Sequence, residues 1–277
     1  MPYAVVRPVN GLANRLLAVT STLALARRHG FSFAVLWEPG PCFSDDPWHD
    51  LFANDLELWD RARYDAALAD GVPVSTRWGD AALLESWRVA RAIRRRGLVF
   101  DGGFRPIHES LRRGALRLLR PSRRARILAC RELRPAPAIA RAIDAFAAEH
   151  RLDATVGVHS RRGDAATGPH RHEYEPSSDD AFEQALRREP PDTRFFLATD
   201  CPATEARFRE RFPGRIVTRD KAFVPSVYGE PKGGQRDAVA ELFLLARTRR
   251  IVGTQWSTFG DLAARIGGIP IRTARDA

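Results

Sequence analysis

The constraint that matters most in this chain is an alternation. Over residues 155–272, short apolar runs ending in polar residues alternate with segments of helical period. Apolar runs occupy 155–159, 195–199, 215–218, 251–254 and 269–272, and helical segments 179–188, 204–212, 237–248 and 259–266. Strands joined by connections of this length run parallel, because an antiparallel pair needs only a short turn whereas a parallel pair needs a crossover. The pattern therefore predicts an open parallel sheet covered by helices. Asp180 and Glu183, at the start of one helical segment, have the spacing of a capping box. The alternation also appears at the N-terminus. Residues 3–9 read as a buried strand and residues 14–29 as a helix, with Leu16, Val19, Leu23 and Ala26 on one face. Gly30 stops that helix after three cations, and residues 31–37 read as a second strand.

Between these regions the reading is less regular. Residues 39–73 show no clear period. Residues 83–96 and 108–119 read as basic amphipathic helices, with a short strand at 98–100. Leu133-Arg134-Pro135-Ala136-Pro137 reads as a linker, followed by a helix over 138–150. The expected organisation is two domains, an N-terminal α/β domain at 1–134 and a C-terminal Rossmann-type domain at 135–277, facing a cleft. With 277 residues, 44% hydrophobic and 28% charged, each half is long enough to bury a core. The longest apolar candidate for a membrane span, residues 16–26, is short and interrupted by Thr20, Ser21 and Thr22. Met1-Pro2-Tyr3 opens without a basic start or an apolar signal core. Cys42, Cys130 and Cys201 are too scattered for a disulfide frame or a zinc site. The expectation is a cytoplasmic protein with reduced thiols.

A net charge of +10 points to an anionic partner, but its distribution qualifies that. Lys221 and Lys232 are the only lysines among 44 cations. Residues 77–134 hold 16 arginines against five acids, a surplus of +11, and the rest of the chain is nearly balanced. A nucleic-acid-binding reading fits poorly, because the stretch lacks aromatic interleaving, zinc ligands and a helix-turn-helix pattern. Its arginines fit either ordinary solvated helix faces or attraction to an anionic or lipid-linked acceptor with peripheral membrane contact.

Four segments carry potential chemistry. His159-Ser160-Arg161-Arg162-Gly163-Asp164 directly follows a predicted strand, where ligands of open parallel sheets bind. Adjacent arginines there present guanidinium forks to a diphosphate, and Asp164 is placed to hold one of them. A plain surface ion pair is the bland alternative. Phe195-Phe196-Leu197-Ala198-Thr199-Asp200-Cys201-Pro202 is a second strand end; Thr199 or Asp200 there is a helix cap, a ligand contact, or both. Gly253-Thr254-Gln255-Trp256-Ser257-Thr258-Phe259 places hydroxyls at a helix N-terminus, which suits phosphate as well as capping. Gly11-Leu12-Ala13-Asn14-Arg15 follows the first strand; Gly11 suits a tight turn, with Asn14 and Arg15 facing the cleft. A pair of histidines, His170 and His172, with Glu173 is a poor metal frame at two-residue spacing.

Taken in order, these segments resemble the inverting fucosyltransferase superfamily, which includes α1,2-, α1,6- and protein O-fucosyltransferases. HSRRGD is similar to its first motif, FFLATDCP to its second and GTQWSTF to its third. The helix DAVAELFLLARTRR and the GLANR turn also match in position. The resemblance covers the second half and about the first 40 residues. It implies a GT-B-like fold, GDP-fucose as donor substrate with no other cofactor, inversion, and no metal. It implies that His159 and Asp200 contact the guanosine part and Arg161 and Arg162 the diphosphate. Ser257, Thr258 and Phe259 would then line the donor pocket. No catalytic base is evident; Glu173 and Glu175 are the nearest acids. The same residues also fit a GDP-sugar-binding protein without turnover, or one using another GDP-sugar.

Overall fold

The fold is described from a computed structural model. It describes residues 2–40, 46–75, 83–102, 106–111, 114–162, 177–221, 223–225 and 231–277. Internal contacts divide the chain into two compact units. One comprises Met1–His49 and Ala53–Leu133, the other Asp50–Phe52 and Arg134–Ala277.

In the first unit, β1 (Tyr3–Pro8), β2 (Ser32–Val35), β3 (Glu57–Leu58), β4 (Val72–Ser75) and β5 (Gly97–Gly102) form one parallel sheet in the order β3-β2-β1-β5-β4. The helix Leu12–His29 follows β1 and is buried almost all round, including Arg15, Thr20, Ser21 and Thr22. Ser21 and Thr20 are satisfied there, whereas the Thr22 hydroxyl has no partner among the described residues. The Ser21 hydroxyl accepts the Ile107 N–H at 3.1 Å, and Thr20 donates to the Leu16 carbonyl at 2.8 Å. Two helices here depart from the sequence reading. Arg61–Asp70 forms inside the stretch read as irregular, capped by Asp60, whose carboxylate accepts the Arg63 N–H at 2.8 Å. Arg123–Arg131 is capped in the same way by Ser122. Arg61–Asp70 has almost no apolar asymmetry, so periodicity alone does not reveal it. The helix expected over 108–119 is instead a short helix, Ile107–Ser110, and a 3₁₀ helix, Gly114–Leu119. Gly114 lies inside that span, where glycine disfavours a continuous helix.

The second unit contains β6 (Val156–Ser160), β7 (Phe195–Thr199), β8 (Ile216–Val217), an antiparallel hairpin of β9 (Phe223–Pro225) and β10 (Pro231–Gly233), β11 (Arg250–Gly253) and β12 (Ile271–Thr273). Apart from the hairpin, these strands form a parallel sheet in the order β12-β11-β6-β7-β8. β6 and β7 are buried at every position, as expected for strands covered on both faces. Position 157 favours glycine, because a Cβ there would lie 2.7 Å from the Thr248 hydroxyl and force a neighbouring side chain to shift. Phe182, Phe195, Phe208 and Phe212 pack together beside the sheet. Each such burial contributes ~1.5–3 kcal/mol. The expected capping box does not form. Ser178 caps the helix Asp179–Arg187, its hydroxyl accepting the Ala181 N–H at 3.3 Å. Instead the exposed Asp180 and the largely buried Glu183 both bind Arg207.

Candidate functional site

Strand order reverses between β6 and β11, since the chain runs from β6 through β7 to β8 on one side and from β11 to β12 on the other. Such a reversal leaves a crevice beyond the carboxyl ends of the two strands, where open α/β sheets bind ligands. Three predicted segments converge here. β6 ends in His159 and Ser160, which pair in register with Gly253 of β11 and Thr199 of β7. The backbone that follows is held from both sides. The Arg161 N–H donates to the Thr254 hydroxyl at 2.9 Å, and the Arg162 N–H donates to the Asp200 carboxylate at 2.7 Å. Thr254 also donates from its N–H and its hydroxyl to the His159 carbonyl, at 3.0 and 3.1 Å. Asp200 therefore holds the arginine loop rather than capping the next helix. That helix, Pro202–Arg211, starts at Cys201 without a side-chain cap and has Pro202 in its first turn.

The two arginines are placed differently. The Arg162 guanidinium reaches the Ser177 carbonyl at 3.4 Å and the Asp179 carboxylate at 3.5 Å, and the side chain is about one-quarter exposed. Arg161 is half-buried, and its charge acts on His159. The His159 ring stacks on Phe259 with centroids 4.9 Å apart. Burial, with Arg161 and Lys221 nearby, lowers its pKa to about 3, so the imidazole is neutral near pH 7.

Several buried polar atoms at this end of the sheet have no hydrogen-bond partner among the described residues. They are His159 Nδ1, the Ser160 and Ser257 hydroxyls and Gln255 Oε1. An unsatisfied buried polar group costs about 1–3 kcal/mol, so their clustering marks a place where a polar ligand restores the missing bonds. Ser257 occupies the N-cap position of the helix Thr258–Gly267 but makes no side-chain cap bond. Its hydroxyl is thus left beside the positive end of a helix dipole.

Two further residues belong to this region and were not singled out from the sequence. The Lys221 ammonium is buried, donates to the Thr199 carbonyl at 2.6 Å and pairs with Glu241. Burial pushes the Glu241 carboxyl up to about 7 despite the opposing pull of Lys221. The sequence held faint signals: Lys221 is one of two lysines, and Glu241 interrupts an apolar helix.

Gly11, Asn14 and Arg15 lie in the first unit. Gly11 has φ −68°, and Asn10 instead takes the left-handed conformation at φ 67°. Arg15 is neither a surface residue nor an open polar group. It is 1% exposed and donates to the carbonyls of Asn10 at 2.7 Å and Glu38 at 2.8 Å, tying together the loops after β1 and β2. Asp164, His170, His172, Glu173 and Glu175 lie outside the described residues. Among those described, no group of three or more metal-ligating side chains is close enough to hold an ion. No helix among them is long and apolar enough to cross a membrane.

No protein-family model matches the sequence, and no curated protein does. Solved structures do match the fold. NodZ α-1,6-fucosyltransferase co-crystallised with GDP aligns at TM-score 0.59 and 18% identity, over 95% of this chain and 92% of that one. A mutant of Arabidopsis thaliana FUT1 in complex with GDP aligns at 0.62 and 15% identity, over 98% and 70%. POFUT1 in complex with GDP-fucose aligns at 0.58 and 13% identity, over 98% of each chain. The chain thus has the two-sheet, GT-B-like α/β fold of these fucosyltransferases. At such identities the likeness is one of fold.

Proposed function

We propose that this chain is a glycosyltransferase moving fucose from GDP-fucose to a hydroxyl-bearing acceptor, with inversion and without a metal. The observation that carries this reading is the cluster of unpartnered buried polar atoms where strand order reverses, beside two arginines whose loop is pinned by Thr254 and Asp200. A sugar diphosphate needs cationic and N–H donors that gain strength as the leaving group takes on charge. Arg161, Arg162 and the start of the helix Thr258–Gly267 supply such donors. Arg161 stabilises the departing diphosphate, and Asp179 orients Arg162. His159, neutral, hydrogen-bonds the nucleoside without adding charge. Asp200 contacts the guanine in addition to bracing the Arg162 N–H. Glu173 is the proposed base. The acceptor is a glycan or lipid-linked hydroxyl compound, and nucleic acid is not the partner.

Calorimetric titration with GDP, GDP-fucose, UDP and ADP tests the donor. Selective binding of the two guanosine ligands is expected, and equal binding of all four defeats the reading. Arg161→Ala is expected to lower transfer by at least about a hundredfold with an unchanged circular dichroism spectrum. EDTA is expected to leave turnover intact.

A further inference from the structure

Trp256 is the most exposed large apolar side chain described, at 71%, and its backbone sits at φ 62°. Among the described residues it is one of three non-glycine positions with positive φ. The others are Asn10, a residue type that tolerates this conformation, and Arg151, a helix cap. Trp256 holds the third position of a turn closed by the Ser257 N–H on the Thr254 carbonyl at 3.3 Å. Positive φ at that position is the geometry for which glycine is the ordinary choice. The turn is fixed on its other flank as well, where the Gln255 N–H donates to the Ser177 hydroxyl at 2.8 Å. A bulky residue in strained backbone persists only where its surroundings hold it, and such positions concentrate at ligand sites. Trp256 is flanked by Gln255 and Ser257, both with unpartnered buried polar atoms.

The two kinds of group divide the ligand between them. Charged and hydrogen-bonding parts need the buried polar atoms. An indole at the rim offers only a flat apolar face and one N–H. The part of a nucleotide sugar that suits such a face is the sugar ring, above all a 6-deoxyhexose, whose methyl group enlarges its apolar side. We propose that Trp256 is the sugar-reading platform of this site, its indole packing against the transferred 6-deoxyhexose while the buried groups hold the nucleotide. This rests on the GDP-sugar reading above.

The test is calorimetry on the full chain with GDP, GDP-fucose and GDP-mannose, using wild type, Trp256→Gly and Trp256→Phe. Trp256→Gly is expected to leave GDP affinity unchanged and weaken GDP-fucose binding about tenfold, the size of an aromatic packing contact. It is expected to bring GDP-fucose close to GDP-mannose. Trp256→Phe is expected to retain most of the preference. The thermal midpoint of Trp256→Gly is expected to hold or rise, because glycine relieves the backbone. Equal losses for GDP and GDP-fucose would reassign Trp256 to shaping the turn, and no loss for either would remove it from the site. If wild type binds GDP but does not distinguish the two sugars, this proposal alone falls. If wild type binds no GDP, the donor reading falls first.

Discussion

His159 shows how much a single position depends on its surroundings. In the sequence it is a polar residue after an apolar strand; in the fold it is a neutral ring packed on Phe259 with an unpartnered nitrogen. Its folded pKa, about 3, lies below the unfolded value near 6.5. Between those values the unfolded state holds the extra proton, so this residue makes stability fall as pH drops from about 6.5 toward 3. The slope is at most about 1.4 kcal/mol per pH unit. Urea titrations of wild type and His159→Phe at pH 7 and pH 5 check this. The variant is expected to lose less stability on acidification, and parallel losses would contradict the assignment. Arg15 makes the complementary point. The residue type does not tell a ligand-binding arginine from a loop tie, because both use the same fork; only its two carbonyl partners decide.

At the scale of elements, strands were easier to read than caps. β7 stands at the expected residues, and β6 is shifted by one, because unbroken apolar runs of this length mark strands buried on both faces. The helix starting at Asp179 was also legible, but its cap was not. Ser178, Asp179 and Asp180 are all competent caps, and the choice turned on Arg207, which draws Asp180 and Glu183 away. The Lys221–Glu241 pair joins the helix Gln235–Leu245 to the end of β7, through residues far apart in sequence. Lys221→Met is expected to destabilise the fold at pH 8, because the buried Glu241 loses the cation that favours its charged form and must take up a proton. Lys221→Met with Glu241→Gln is expected to recover much of that. The Glu241 pKa is raised from 4.5 to about 7, so the folded state holds the extra proton between those values. The residue's contribution therefore declines as pH rises through that window, and Glu241→Gln is expected to flatten the decline in denaturation curves.

At the scale of the whole molecule, the charge imbalance is a matter of distribution. The helix Leu83–Arg96 exposes Arg88, Arg91 and Arg95 on one face, with Trp87 beside them at 58% exposure. If the acceptor is membrane-borne, the protein is expected to float with anionic vesicles but not with neutral ones, and Arg88→Glu/Arg91→Glu/Arg95→Glu to abolish flotation. Equal behaviour of the variant would make these arginines ordinary solvated residues. The alternation of strands and helices by itself determined the parallel sheet of the second unit and the strand–helix–strand start of the first, because parallel pairing follows from connection length and apolar runs. Only the tertiary structure decided what lies at the strand ends. It made Asp200 a brace for the arginine loop and Arg15 a buried tie, left four polar atoms without partners and put Trp256 into strained backbone. Those outcomes depend on which distant groups meet across the sheet, and a local pattern carries no information about that.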